Sequence, residues 1–281
     1  MTLFKRSLFV SCLFLLLLGT INSQNLLDYP NSLKYAKYLF QTKQFELSSI
    51  EYERVVFLEP NDTLAKLNLI RSYRYSKDFV TAQDRILKFF PDGLNNLHEE
   101  FSKEYIKIML CGNQLQKANN FLNENIVLNN ISKAEYQLGI LIMQNNWTAA
   151  KSHVDKNNEV LKISERFNNL NELNINGLNT AYKNPFLAAS LSAIVPGSGK
   201  LYTGRWKDAI FSFFFLTSAS WLTYKSINNH GLNFTSVLYG SLTLGFYTAN
   251  VYGSSKSAKM YNHRTNDSYK NDALKLILQD P

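Results

Sequence analysis

"AKYLFQTKQFELSSIEYERVVFLEP", residues 36–60, decides the fold. Apolar side chains recur at helical spacing as far as Phe40. They break at the polar Thr42–Gln44 and resume from Phe45 until Pro60. "LIRSYRYSKDFVTAQDRILKFFP" at 69–91 repeats the pattern. Leu39 and Tyr73, Phe45 and Phe79, Ser48 and Ala82, and Tyr52 and Ile86 are each 34 positions apart. Ala118 follows Ala82 by 36 positions, and Ala150 follows Ala118 by 32. "YQLGILIMQNNWTAAKSHV" at 136–154 is the clearest late copy. A near-constant period of one helix–turn–helix predicts a row of hairpins. Each cannot bury its apolar face alone and so stacks on its neighbours.

Residues 31–157 resemble the tetratricopeptide repeat, in about four hairpins. Ser48, Ala82, Ala118 and Ala150 stand at the family's small position in the second helix. Leu138-Gly139 and Trp147 fall near family positions, Pro60 matches the terminal proline, and Pro91 comes three residues early. The resemblance implies a solenoid whose concave groove holds a protein or peptide. Groove candidates lie on the first helix of a pair: Lys37, Gln41, Arg71 and Arg74. The aromatic Phe45, Tyr52, Phe79 and Trp147 are read as core.

Composition agrees with an all-α chain. Of 281 residues only 12 are Gly and 6 are Pro, which disfavours a many-turned β-sandwich and favours long helices. The formal charge is +8, and it is scattered. Without residues 1–23, 28 basic and 22 acidic side chains leave +6. No basic helix face interleaved with aromatics is present, so a nucleic-acid partner is not expected. Cys12 and Cys111 make no disulfide framework, and His98 and His153 have no metal-ligand spacing. No Ser/His/Asp set and no paired catalytic carboxylates are found. The chain is therefore not expected to be an enzyme or to hold a cofactor or metal.

Lys5 and Arg6, an apolar run at Ser7–Gly19 and small residues up to Ser23 read as a secretory signal peptide at 1–23. An uncleaved anchor is the alternative. The repeat domain is expected at 24–157, with a helix from about Asn158 to Leu173 and a linker to 184, broken at Gly177 and Asn184-Pro185. At 185–264 the character changes. "AIFSFFFLTSASWLTY" (209–224) and "TSVLYGSLTLGFYTANVY" (235–252) carry no charge, and Trp206, Trp221, Tyr224, Tyr239 and Tyr252 sit towards their ends. They predict a transmembrane helical hairpin, followed by a polar tail at 265–281. Ser241, Gly245, Ala249, Gly253 and Ser257 recur every four residues, a stripe suited to close packing against Thr217–Ser220 or a second copy. Asn250 is expected to hydrogen-bond within the protein.

"IVPGSGKLYTGRWKDA" (194–209) suggests a phosphate loop, but the spacing fails: Ile194 lies five before Gly199, and Leu201 follows Lys200. The stretch reads instead as a turn at a membrane surface: Pro196, Gly197, Gly199, Lys200, Tyr202, Gly204 and Arg205. With Asn250, Tyr252, Gly253, Ser254, Ala258, Tyr261 and Asn262 it resembles a two-helix membrane domain of unknown function found in bacterial envelope proteins, which implies no activity. Basic residues flank the hairpin on both sides, at Lys200, Arg205 and Lys207 and at Lys256, Lys259 and Arg264, with only Lys225 between its helices. That bias favours cytoplasmic flanks, whereas the signal peptide favours an exported repeat domain. Three arrangements remain open: residues 186–202 help the chain cross, the N-terminus is not exported, or the basic flanks bind lipid phosphates outside. The expected function is a membrane-tethered scaffold holding a protein or peptide partner at the bacterial envelope, with the repeat domain periplasmic. The alternative is a subunit of an oligomeric transport or channel complex.

Overall fold

A computed structural model describes residues 27–91, 93–94 and 97–279. The expected signal peptide at 1–23, with Cys12, lies outside them. Every element among the described residues is helical. Eight helices follow one another in pairs: α1 (Tyr29–Gln41) and α2 (Phe45–Leu58), α3 (Thr63–Tyr75) and α4 (Phe79–Phe89), α5 (Glu99–Cys111) and α6 (Leu115–Glu124), α7 (Asn130–Met143) and α8 (Trp147–Lys156). A 3-10 turn at Val160–Lys162 leads to α9 (Glu165–Leu178). Then come α10 (Pro185–Ile194), α11 (Ser198–Tyr202), α12 (Trp206–His230) and α13 (Phe234–Leu278).

Short polar side chains set where these helices begin. Asp28, Asp62, Asp78, Asn129, Asn146, Ser164, Asn184 and Asn233 each accept a backbone N–H of the first turn. Asn184-Pro185, expected as a break, is therefore a helix start: a cap followed by proline at the first helical position.

The turns inside the four pairs share one backbone. Lys43, Lys77, Asn113 and Asn145 are all left-handed, with φ between 56° and 66°. The next residue closes each turn: Gln44 N–H donates to the Leu39 carbonyl, Asp78 to Tyr73, Gln114 to Met109 and Asn146 to Leu141, at 2.8–2.9 Å. These left-handed residues are spaced by 34, 36 and 32 positions, the period of the small residues. Ser48, Ala82, Ala118 and Ala150 are all fully buried.

The chain divides into two compact units. Among the described residues, one holds those up to Gln114 with Glu124–Val127, the other Leu115–Asn123 with those from Leu128 onward. In the first, Ala36, Tyr52, Val55, Ala65 and Leu69 form a core flanked by Tyr29, Phe40 and Tyr73. Ser48 shows why its position is small: its Oγ lies 3.3 Å from the Ala36 carbonyl and 3.1 Å from Ser72 Oγ. Of the groove candidates, Lys37 and Gln41 are exposed, but Arg74 is only 3% exposed. Its Nε donates to Glu104 on α5 at 2.7 Å, and Arg71 and Lys107 also reach that carboxylate. The arginines are thus a structural correction to the groove: they tie α3 to α5. Such a buried network needs all its partners.

In the second unit, two glycines serve as slots. The Trp147 indole lies on Gly177, where a Cβ would come within 2.5 Å of the ring. Gly177, expected as a break, therefore sits inside α9. Ile277 lies on Gly139, leaving 2.1 Å for a Cβ. Tyr269 meets Trp147 edge-on at 5.1 Å, and Ala273 and Ile277 are fully buried. The stretch expected as a polar tail is thus, through Leu278, the end of α13, held by the last hairpin and α9.

The expected transmembrane hairpin requires correction. Helices α12 and α13 do pair, but among the described residues no helix is long and apolar enough to cross a membrane. Ser212, Thr217, Ser218, Ser220 and Thr223 dilute α12, and Ser236, Thr243, Thr248 and Asn250 dilute α13. The seam uses Ala209, Ser212, Leu216, Ala219, Thr223 and Ser226 against Ser236, Gly240, Thr243, Tyr247, Asn250 and Ser254, all buried or half-buried. Steps alternate between three and four residues, which keeps one face towards the partner helix. The predicted four-residue stripe drifts off that face, by about 40° per step. Consequently Ser241, Gly245 and Ala249 are exposed, and only Gly253 and Ser257 pack. Of Thr217–Ser220, only Ala219 turns inward.

The repeat reading makes a direct prediction. Ala82→Leu should lower the free energy of unfolding by about 1–3 kcal/mol, because a filled close approach must be overpacked. Val80→Ser, two residues away and exposed, should change it by no more than about 0.5 kcal/mol. Urea unfolding of the full chain measures both.

Candidate functional site

The stretch from Pro196 to Arg205 forms a compact turn around α11, packed on the middle of α13. Gly197 caps α11 with φ +87°. A Cβ on it would lie 2.3 Å from the Ala209 carbonyl oxygen; one on Gly199 would lie 1.8 Å from that of Ala188. Both obstacles are backbone, so only glycine permits α10, α11 and α12 to approach this closely. Gly204, at φ +80°, instead has open space around it and serves to reverse the chain.

Hydroxyl groups fix the turn to α13. Gly199 N–H donates to Ser192 Oγ at 2.9 Å, and Ser192 and Ser254 are joined at 2.7 Å. Ser254 in turn donates to the Asn250 carbonyl at 2.9 Å, so the Ser192 proton points to Ser254. A second relay runs from Ser257 to Thr203, at 2.6 Å, and on to the Lys200 carbonyl. Asn250 is 5% exposed; its amide reaches the Ser192 carbonyl at 3.4 Å, while its oxygen has no partner among the described residues. The turn's upstream end is tied as well. Asn262 accepts from Lys183 N–H at 2.8 Å and donates to its carbonyl at 2.9 Å. Tyr202 OH accepts from Asn184 N–H at 3.2 Å, and Lys183 Nζ lies over the rings of Tyr202 and Tyr261.

Lys200 lies along Gly253, and its Nζ donates to Ser212 Oγ at 2.6 Å. Burial lowers the ammonium's pKa; nearby Asp208 opposes this and Arg205 adds to it. Arg205 pairs with Asp208 at 2.7 Å. Beside this turn lies a cavity of about 480 Å³, lined by Thr203, Arg205, Ser257, Tyr261, Arg264 and residues of the next turn of α13. No carboxylate lines it.

The structure thus brings the turn together with Asn250, Gly253, Ser254, Ser257, Tyr261 and Asn262, which the sequence singled out, and leaves Ser241, Gly245 and Ala249 apart from it. Tyr252 stands apart, 70% exposed. Sequence reading missed Ser192, Thr203 and Ser212, because isolated hydroxyls in an apolar segment carry no signal until a partner helix is placed. Among the described residues no group of His, Cys, Asp or Glu has the geometry for a metal ion. His98 caps α5, and His153 Nε2 lies 3.0 Å from the Ala134 carbonyl.

The two kinds of glycine can be told apart by substitution. Gly199→Ala should lower stability by about 1–3 kcal/mol, through backbone overpacking. Gly204→Asn should cost less than about 1 kcal/mol, since asparagine tolerates a left-handed backbone. Thermal unfolding of the full chain distinguishes them.

Comparison with protein-family models, curated proteins and solved structures returns no match to this chain.

Proposed function

We propose that this chain is a lipid-associated helical-repeat scaffold: the repeat hairpins hold a protein or peptide partner, and the α12–α13 pair holds the chain at a bilayer of the bacterial envelope. The carrying observation is the reversed polarity of that pair. Its seam is small and hydroxyl-rich, whereas its outside presents Phe211 (69% exposed), Phe214, Trp221 (64%), Phe234 (84%), Leu244 and Phe246. A helix pair in water does the opposite, and contiguous apolar surface of this kind calls for lipid or protein cover. Charge supports lipid. Lys200, Arg205, Lys207, Lys256, Lys259 and Arg264 gather around the α11 end of the pair, where anionic headgroups would meet them. The reading needs the apolar shell to enter acyl chains, not to span them.

For the repeat half, the shared turn geometry and the buried small positions support the tetratricopeptide identification. The exposed side of α1, with Tyr35 and Tyr38 stacked at 6.4 Å beside Lys37 and Gln41, offers a partner-facing surface. It adjoins a cleft of about 490 Å³ lined in part by Leu27, Glu51 and Arg54.

One observation favours the alternative, an oligomeric transport or channel subunit: Ser241, Gly245 and Ala249 leave an uncovered small-residue line along α13. A flotation experiment separates the readings. The full chain, freed of detergent, should rise with vesicles containing about one-third anionic lipid, the kind of surface that its basic cluster suits. Phe211→Ser/Phe214→Ser/Phe234→Ser should remain at the bottom. A chain that stays soluble without lipid and ignores vesicles would refute lipid association, whereas one that rises with vesicles as a defined oligomer would favour the alternative.

A further inference from the structure

We propose that the cavity beside Arg205 and Arg264 is a binding site for a phosphate group, either of a lipid headgroup or free in solution. The inference rests on the lipid reading only for the first of these sources.

Two elements build the cavity. From α13 come Ser257, Tyr261, Arg264, Thr265, Ser268 and Tyr269, which share one face because they are separated by three or four positions. From the turn before α12 come Thr203 and Arg205, aimed by the chain reversal at Gly204. Most of the hydroxyls are already committed. Ser257 donates to Thr203 and Thr203 to the Lys200 carbonyl, as described above. Thr265 donates to the Tyr261 carbonyl at 3.0 Å. Thr180 donates to the Asn176 carbonyl, so Tyr269 donates to Thr180, at 2.7 Å. Ser268 lies 3.4 Å from Asp272.

What remains unengaged is a set of donors suited to an oxyanion. Arg264 has no carboxylate partner among the described residues, and the Tyr261 hydroxyl makes no hydrogen bond there. Arg205 gives its Nε and Nη2 to Asp208, which leaves its Nη1. Two guanidinium groups and a phenol, around a cavity without an acidic lining residue, match the tetrahedral oxygens of a phosphate. Asp208, Asp267 and Asp272 are the nearby acids; the first is held by Arg205, the second by His263 at 2.7 Å, and the third lies 3.4 Å from Ser268. The cavity opens where the apolar outside of the α12–α13 pair gives way to basic residues, the depth at which a lipid phosphate would lie.

The test uses the full chain in mild detergent and in vesicles. Inorganic phosphate is titrated and followed by phosphorus resonance. In parallel, vesicles of phosphatidylcholine alone, or with phosphatidic acid, are titrated by flotation. Arg264→Gln should weaken binding of at least one phosphate source about tenfold, the loss of a charge-assisted contact. Lys275→Gln, on the same helix but outside both the cavity and the basic cluster, should bind nearly as the parent does. A response to inorganic phosphate identifies a free anion as ligand, and a response to phosphatidic acid alone identifies a headgroup. If Arg264→Gln and Lys275→Gln weaken binding equally, or if neither source binds, there is no site. Flotation on pure phosphatidylcholine, which no variant in the cavity should alter, reports separately on the lipid reading. Both variants are exposed, and an unchanged circular-dichroism melt confirms that they fold.

Discussion

One continuous helix constrains the whole second unit. From Phe234 to Leu278 there is no proline, and Asn233 caps its start. Its 45 residues run about 68 Å. Three sets of neighbours use successive stretches of it. Helix α12 packs on the first, α10 and α11 on the second, and α7, α9 and their flanking chain on the third. Because the helix is a rod, the side chains for each contact must fall on the right side of it, at the right height. Ser236, Asn250, Ser257, Asn262, Tyr269 and Ile277 do so, each meeting a different partner.

The chemistry of those contacts changes along the rod. Near Ile277 and Tyr269 it is that of an ordinary water-soluble core, with large apolar groups dropped onto glycine. Near Ser254 and Ser257 it becomes a set of directed hydroxyl relays, in which every proton has a place. Near Phe234 the seam is thin and the bulky groups face outward. Hydrogen bonds between serines and threonines gain most where water is absent. The shift from apolar slots to hydroxyl pairs therefore follows the change in surroundings that the proposed function assigns.

Much of the fold was legible in the sequence, and the reasons are local. The 34-residue offset between Phe45 and Phe79 carried the hairpins, because each turn requires the same left-handed residue followed by the same closing bond. Pro196 to Arg205 could be read as a turn because it gathers a proline and three glycines, of which Gly197 and Gly199 have no substitute. What failed was long-range. Gly177 and the tail after 264 looked like a break and a loose end, since nothing in their own neighbourhood announces Trp147 or Gly139. Arg74 looked like a groove residue because a charge on a first helix usually faces water; only Glu104, 30 positions later, explains its burial. The four-residue stripe misled for a geometric reason: it follows the backbone count, whereas the contacts follow a 3.5-residue mean. The anion cavity was invisible, as its two arginines are separated by nearly sixty residues.

The left-handed residues in the hairpin turns carry one more consequence. None of the four is glycine; two are lysine and two asparagine. The two lysines hold a conformation that their side chains resist, so those turns are kept only while the helices they join remain packed. Those hairpins therefore resemble sprung clips rather than free hinges. Where such a pair of helices is pried apart, its turn has a reason to relax as well, and opening will spread within that pair before it reaches the next.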